Sequence, residues 1–230
     1  MIETEADART WFREVLDADQ ATIDRLDTFA DLLIAESARQ NLISRLSAQN
    51  LWVRHFADSA QLLTVPRGTK RAGTWLDLGT GAGFPGIVVA ICRPDIHVHM
   101  VDSRRLRVEW LQRAAATLNL QNNQITLSRV EQLPHMTYDA ISARAFAPLQ
   151  KLIDVSARFS TPETLWLLPK GAKAAQELEM LSGRWNHMFH VEQSLTDPTA
   201  GILTGCLLGV SRVRAPALKA DTIARRGQSK

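Results

Sequence analysis

The sequence predicts an α/β protein, a mostly parallel seven-stranded sheet with helices on both faces, preceded by a helical extension. Three observations carry this. At 74–91 a short apolar run, TWLDL, stops at four glycines within eight residues (Gly79, Gly81, Gly83 and Gly86) before an apolar run resumes, which is the pattern of strand, turn and helix. From there to about residue 212, strand-like and helix-like segments alternate, as in a parallel sheet joined by crossover helices. Before residue 74 the apolar residues step by three and four, and nothing alternates with period two.

Residues 7–40 read as two helices, the first with Trp11, Phe12, Val15 and Leu16 on its face, the second with Ile23, Leu26, Ala30, Leu33 and Ile34 and with Asp19 as its cap. Residues 41–46 read as a loop, and Ser47 as the cap of a third helix carrying Leu51, Trp52, Phe56, Leu62 and Leu63. That helix contains WVRHFADS, in which Arg54, His55, Asp58 and Ser59 form two i,i+4 pairs on one side. One reading is a surface ion pair, Arg54 with Asp58, beside a His55–Ser59 hydrogen bond. If the helix faces the glycine turn, the same four groups can contact a substrate. Strands are expected near 74–78, 97–101, 124–127, 138–142 and 164–168, with two more near 187–193 and 205–212, and helices near 104–118, 148–159 and 172–181. The organisation is then a helical region at 1–65, a sheet domain at 66–215 and a flexible basic tail at 216–230.

Ligands of such sheets sit beyond the carboxyl ends of the strands. Those ends carry Asp77 and Gly79, Asp102, Arg129 to Glu131, Arg144 and Lys170. The turn fits both G-x-G-x-x-G, from Gly81 to Gly86, and acid-x-G-x-G-x-G, from Asp77 to Gly83. A pyrophosphate wants bare N–H groups and a helix dipole, and an acid just before the turn opposes its charge. Asp77 therefore favours S-adenosylmethionine, with its cationic sulfonium and ammonium, over NAD. Asp102 lies about twenty residues past the turn, where a carboxylate can hold ribose hydroxyls of either cofactor, and capping the next helix is its alternative role. An arginine at the end of an apolar strand needs a carboxylate, a phosphate or a ring face. For Arg144 a structural partner such as Asp77 or Asp139 is one reading and a ligand contact the other, whereas Lys170 reads as solvated and Glu131 as a cap or a solvent-facing acid.

At 230 residues and 45% apolar content, the chain can bury one substantial core with an appendage. Its longest apolar run, Ile87 to Cys92, is far too short to span a membrane, and the acidic, polar start MIETEADART is unlike a signal peptide. A cytoplasmic protein is expected. Cys92 and Cys206 stand far apart, without a Cys-x-x-Cys or Cys/His cluster, which argues against a disulfide framework or a metal site. The net charge is +3, but residues 211–230 hold Arg212, Arg214, Lys219, Arg225, Arg226 and Lys230 against Asp221 alone, so the rest is net acidic. Such a tail can bind a phosphate backbone or simply be solvated.

Six segments in order, NLISRLSAQNLWVRHFADSAQLL, DLGTGAGFPGI, VDSRRLRVEWLQRAAATLNL, SRVEQLP, ISARAFAPL and LPKG, resemble the bacterial 16S rRNA guanine-N7 methyltransferases called RsmG or GidB. The resemblance spans most of the chain. It implies a class I, Rossmann-like methyltransferase sheet, S-adenosylmethionine as cofactor, and 7-methylguanosine near the ribosomal decoding site as product. It implies a cofactor site at the turn of Asp77, Gly79, Gly81, Gly83 and Phe84, with Val130, Glu131 and Arg144, and with Asp102 on the ribose. Asn41, Arg54, His55, Asp58, Ser59 and Lys170 would face the RNA. Asp58 and Arg144 are the catalytic candidates, and the partner would be 16S rRNA or the small ribosomal subunit, engaged by a monomer. Two departures stand out. Leu106 replaces the usual lysine of D-S-x-x-K-R, leaving Arg104 or Arg105 to supply the charge, and the ending from Thr196 onward carries nothing over. The competing readings are an NAD-dependent oxidoreductase, for which no proton-donor motif accompanies the turn, and a non-catalytic ribosome-assembly factor.

Overall fold

A computed structural model describes residues 1–65, 73–181 and 183–210. Helix α1 (Glu5–Val15) opens in a capping box, in which Thr4 Oγ1 accepts from the Asp7 amide and the Asp7 carboxylate accepts from the Thr4 amide. Helix α2 (Gln20–Gln40) is capped by Asp19, as expected, and ends at Asn41 in the left-handed region. The short α3 (Arg45–Ala48) starts earlier than expected: its cap is Ser44, whose hydroxyl accepts from the Ser47 amide at 3.1 Å.

The third helix is not regular. Trp52–Ala57 winds as a π-helix, Asp58–Ala60 (α4) is α-helical, and Gln61–Leu63 tightens to 3-10. Glu5 of α1 caps the π segment, its Oε1 accepting from the Trp52 and Val53 amides at 3.0 and 3.3 Å. The wider winding corrects the i,i+4 reading. The Asp58 amide bonds back to the Val53 carbonyl, five residues away, so neither the Arg54–Asp58 pair nor the His55–Ser59 bond forms.

The sheet elements follow as β1 (Thr74–Leu78), α5 (Gly86–Cys92), β2 (His97–Asp102), α6 (Arg105–Thr117), β3 (Asn123–Leu127), β4 (Ala140–Ala143), α7 (Leu149–Ser156), β5 (Leu165–Gly171), α8 (Ala174–Glu179), β6 (Trp185–His187), β7 (His190–Gln193), β8 (Gly201–Gly205) and β9 (Leu207–Val210). Seven strands pair in the order β3-β2-β1-β4-β5-β8-β7. The first five are parallel, β8 runs antiparallel to β5, and β7 runs antiparallel to β8.

The first five strands lie within a few residues of expectation; the last two do not. Each of those segments divides, and β6 pairs with β9 in a separate ribbon. Strand β8 occupies GILTG, which its flanking glycines disguise as a turn. Gly205, at φ +140°, breaks β8 from β9 where a Cβ would overlap the Met188 carbonyl. The end of the expected 205–212 strand, the 66–72 linker and the 216–230 tail lie outside the described residues.

Period-2 alternation along β1 divides the core. Trp75 joins a cluster with Phe12, Phe29, Phe56, Val88 and Trp110, while Leu76 and Leu78 join Ile141, Phe159 and Trp166. The helical region thus shares a continuous core with the sheet, and Phe29 sits at the junction, with ring centroids 5.7 Å from Phe56, 5.6 Å from Phe84 and 6.3 Å from Trp110. Among the described residues no helix is long and apolar enough to cross a membrane.

Candidate active site

The turn after β1 is held from below by Asp77, which is fully buried. Its Oδ1 accepts from the Ser142 hydroxyl at 2.7 Å and its Oδ2 from the Gly86 amide at 3.0 Å, while Ser142 Oγ accepts from Trp75 Nε1 at 2.8 Å. Burial pushes its pKa up to about 6, against the lowering effect of these hydrogen bonds. Asp77 therefore ties β1, β4 and the start of α5 together; with no exposed surface it lines neither of the cavities described below. Gly83 is likewise a packing position: at φ +114°, a Cβ there would lie 2.8 Å from Phe29 Cζ.

A cavity of about 390 Å³ opens beyond β1, β2 and β3, lined by Gly79, Asp102, Arg104, Val130, Glu131 and Phe146 among others. Asp102 Oδ2 accepts from the Gly81 amide at 3.0 Å, and Oδ1 accepts from the Arg104 amide at 2.9 Å. A carboxylate offers about four acceptor sites, so capacity remains for hydroxyl donors. Asp102 is not the cap of α6, which begins at Arg105 with Arg104 at the cap position and no side-chain cap; its bond to the Arg104 amide instead fixes the turn before the helix. Arg158 donates to the carbonyls of Val130 and Leu133, both at 2.8 Å, and fixes the turn that carries Val130 and Glu131. Volume, a polar lining broken by the apolar faces of Val101, Val130 and Phe146, and a terminal carboxylate fit a nucleoside. Arg104 supplies positive charge at this rim, while Leu106 points outward, 63% exposed.

A second cavity, about 650 Å³, adjoins the first along Ala145 and Phe146, which line both. Here Arg144 is the hub. Its Nη1 donates to Asp58 Oδ2 and its Nη2 to His55 Nδ1, each at 3.0 Å, and its guanidinium carbon lies 4.8 Å from the centre of the Phe84 ring. His55 stacks on the same ring at 4.8 Å and 15°. Arginine can only donate, so His55 Nδ1 accepts and the proton sits on Nε2, which is buried without a partner. Burial, then the charges of Arg144 and Arg54, hold the His55 pKa down at about 3. The other cations of this cavity are paired too: Arg54 with Asp197 at 3.2 Å, and Lys170 with Glu177 at 3.0 Å.

Several expected site residues differ from expectation in partner or exposure. Arg144 meets Asp58 rather than Asp77 or Asp139, and Asp139 instead accepts from the Gly73 and Thr74 amides. Ser59 is fully buried, its hydroxyl without a partner, so it presents nothing to a macromolecule. Lys170 lines the second cavity as a buried, paired side chain rather than a solvated one, its Nζ also donating to the Ala147 carbonyl at 2.8 Å. Phe84 is buried and lines neither cavity, forming instead the floor beneath Arg144 and His55. Asn41, at the end of α2, lines a third cavity of about 570 Å³ against α3.

Gln61, Thr196 and Asp197 were not legible in the sequence. Thr196 donates to Asp58 Oδ1 at 3.2 Å, and buried Gln61 donates to the same oxygen at 3.0 Å while accepting from the Leu195 amide at 2.7 Å. The loop between β7 and β8 thereby returns to brace the WVRHFADS segment. Phe146, directly after the strand-end Arg-Ala, did have a sequence signal in its position.

The family model for GidB, rRNA small subunit methyltransferase G, matches residues 22–200. A ribosomal RNA small subunit methyltransferase G of Novosphingobium aromaticivorans is 60% identical over 220 residues, 93% of this chain and 96% of the relative. One from Erythrobacter litoralis is 50% identical over 205 residues, covering 89% and 97%. Among solved structures, the O-methyltransferase TomG of Streptomyces achromogenes, in complex with SAM, superposes with a TM-score of 0.55 at 14% identity, covering 89% of this chain and 96% of that one. A ribosomal protein L11 methylase of Lactobacillus delbrueckii gives 0.50 at 15%, covering 70% and 79%. These distant likenesses carry the fold alone, a class I methyltransferase sheet. The extent of the family match and the identity of the sequence relatives make this chain a member of the GidB family, rRNA small subunit methyltransferase G.

Proposed function

We propose that this chain transfers a methyl group from S-adenosylmethionine to N7 of a guanine in 16S rRNA near the decoding site. The observation that carries the reading is the pair of adjoining cavities, one with the donor set for a nucleoside and the other built on the Arg144, Asp58 and His55 cluster. In this reading Gly79, Asp102, Val130 and Glu131 hold the cofactor and Gly81 aligns Asp102. Arg54, His55, Asp58, Arg144 and Lys170 shape the RNA side. The helical region at 1–65 and the sheet domain act as one monomer in the cytoplasm.

When bound, S-adenosylmethionine supplies an electrophilic methyl group on sulfur. Guanine N7 carries a lone pair and no proton, so the protein needs no base. His55, too weak a base to accept a proton near neutral pH, fits that requirement. Because the cofactor would supply both the methyl group and its leaving thioether, none of the site residues would have to hold or move a proton. What remains for the protein is alignment, which is worth about 7–11 kcal/mol of barrier. Arg144, held at both terminal nitrogens and over Phe84, is a fixed wall for the purine. Asp58, on the wall of the same cavity, would stabilise positive charge developing on the ring. N7 faces a deep groove in helical RNA, so the target base must be unpaired or flipped out.

The test is methyl transfer from labelled S-adenosylmethionine to unmodified small-subunit RNA, bare and as assembled subunits, followed by cleavage specific for 7-methylguanosine. One labelled guanine in the decoding region is expected. Absence of transfer with the cofactor still bound would overturn the substrate, and failure to bind the cofactor would return the non-catalytic assembly reading.

A further inference from the structure

We propose that Phe146 is the platform on which the target base stacks, an assignment that rests on the methyl-transfer reading above. A methyl passing from a cofactor in one cavity to a purine in the other must cross near the residues that line both, Ala145 and Phe146. Among the described residues that line either cavity, Phe146 is the only phenylalanine, tyrosine or tryptophan. Its ring lies against the glycine turn: a Cβ on Gly79 would be 2.6 Å from Phe146 Cδ2. It is 37% exposed, unlike the buried phenylalanines of the core, and makes no ring-to-ring contact among the described residues.

The backbone around it is held firmly. Ala145 adopts φ +52°, a conformation that non-glycine residues rarely take and that tends to occur at functional sites. Lys170 Nζ donates to the Ala147 carbonyl, and Glu177, paired with Lys170, accepts from the Leu149 amide at 2.7 Å. The loop is thus braced from β5 and α8 while the ring faces open space. An aromatic face in this position receives an extruded purine by stacking. The product is better suited still, because methylation at N7 makes the purine cationic and a cation is attracted to a ring face. Phe146 would therefore bind the reacting base more tightly as charge develops.

The discriminating variant is Phe146→Leu, which fills the same space over Gly79 without a π face, compared with Phe146→Tyr and Phe146→Trp in the full chain. Binding of S-adenosylmethionine by calorimetry and single-turnover methylation of small subunits are both measured. For Phe146→Leu we expect RNA methylation at saturating cofactor to be reduced about ten- to a hundredfold, with Tyr and Trp restoring most of the rate. Full activity of Phe146→Leu, or a loss explained by weaker cofactor binding, would overturn the platform. If the wild-type protein binds the cofactor yet methylates no RNA, the methyl-transfer reading fails first and the platform with it.

Discussion

Arg144 shows why single side chains in this site cannot be read from sequence neighbours. A guanidinium presents a rigid planar fork, and here Asp58, His55 and the face of Phe84 use its two terminal nitrogens and its plane. Asp58→Asn keeps the shape but removes the charge, so methylation of small subunits should fall about tenfold or more while cofactor affinity stays within about twofold. Wild-type turnover in this variant would remove Asp58 from the mechanism. Asp77 gives a pH-dependent prediction. Its pKa is raised in the fold to about 6, so the native state holds the proton more tightly than the unfolded chain does. Its favourable contribution is full below about pH 4 and is lost as the pH rises through 6. The stability gap between wild type and Asp77→Asn, read from urea midpoints, should therefore narrow over that window, and a gap that ignores pH would refute the assignment.

The WVRHFADS segment depends on its π winding. Widening the turn rotates Arg54 toward Asp197 and frees His55 and Asp58 for Arg144, three contacts that a regular helix would misdirect. The segment begins on the carboxylate of Glu5, one helix away in space and nearly fifty residues earlier in sequence. Glu5→Ala should cost about 1 kcal/mol, as loss of a cap does. It should also speed amide exchange at Trp52 and Val53 more than in the sheet. Uniform exchange across the molecule would mean that Glu5 only packs.

The molecule as a whole closes around the glycine turn. Helix α2 seats Phe29 on Gly83, and the β7–β8 loop is clipped by Gln61 to the helical region. The Ile2 amide bonds to the Leu195 carbonyl at 2.7 Å, bringing the N-terminal end to the same loop. Gly83→Ala forces a Cβ against Phe29 at a left-handed φ, and about 1–3 kcal/mol of destabilisation should follow. A single cooperative thermal transition shifted downward is expected, because the helical region and sheet share one core. Two separate transitions, with only the helical part affected, would show that the extension folds independently.

Local pattern sufficed for much of this. Apolar periodicity placed α1, α2 and the first five strands, since burial on one face leaves a direct trace in residue order. The glycine turn and Asp102 were legible because close backbone approach and strand-end carboxylates restrict residue type. The family's motifs marked Arg144, His55 and Asp58. Their partners were not legible, because an ion pair between residues 86 apart leaves no spacing to read. The division of labour among glycines and acids also came from packing. Asp77 and Gly83 sit in the binding motif yet face the interior, while Gln61, Thr196 and Phe146 reach the site only through the return of β8 and the braced loop after β4. Composition and period record which face of a strand or helix is buried. Which distant groups meet there depends on how the elements pack, and at Arg144 that packing sets the chemistry.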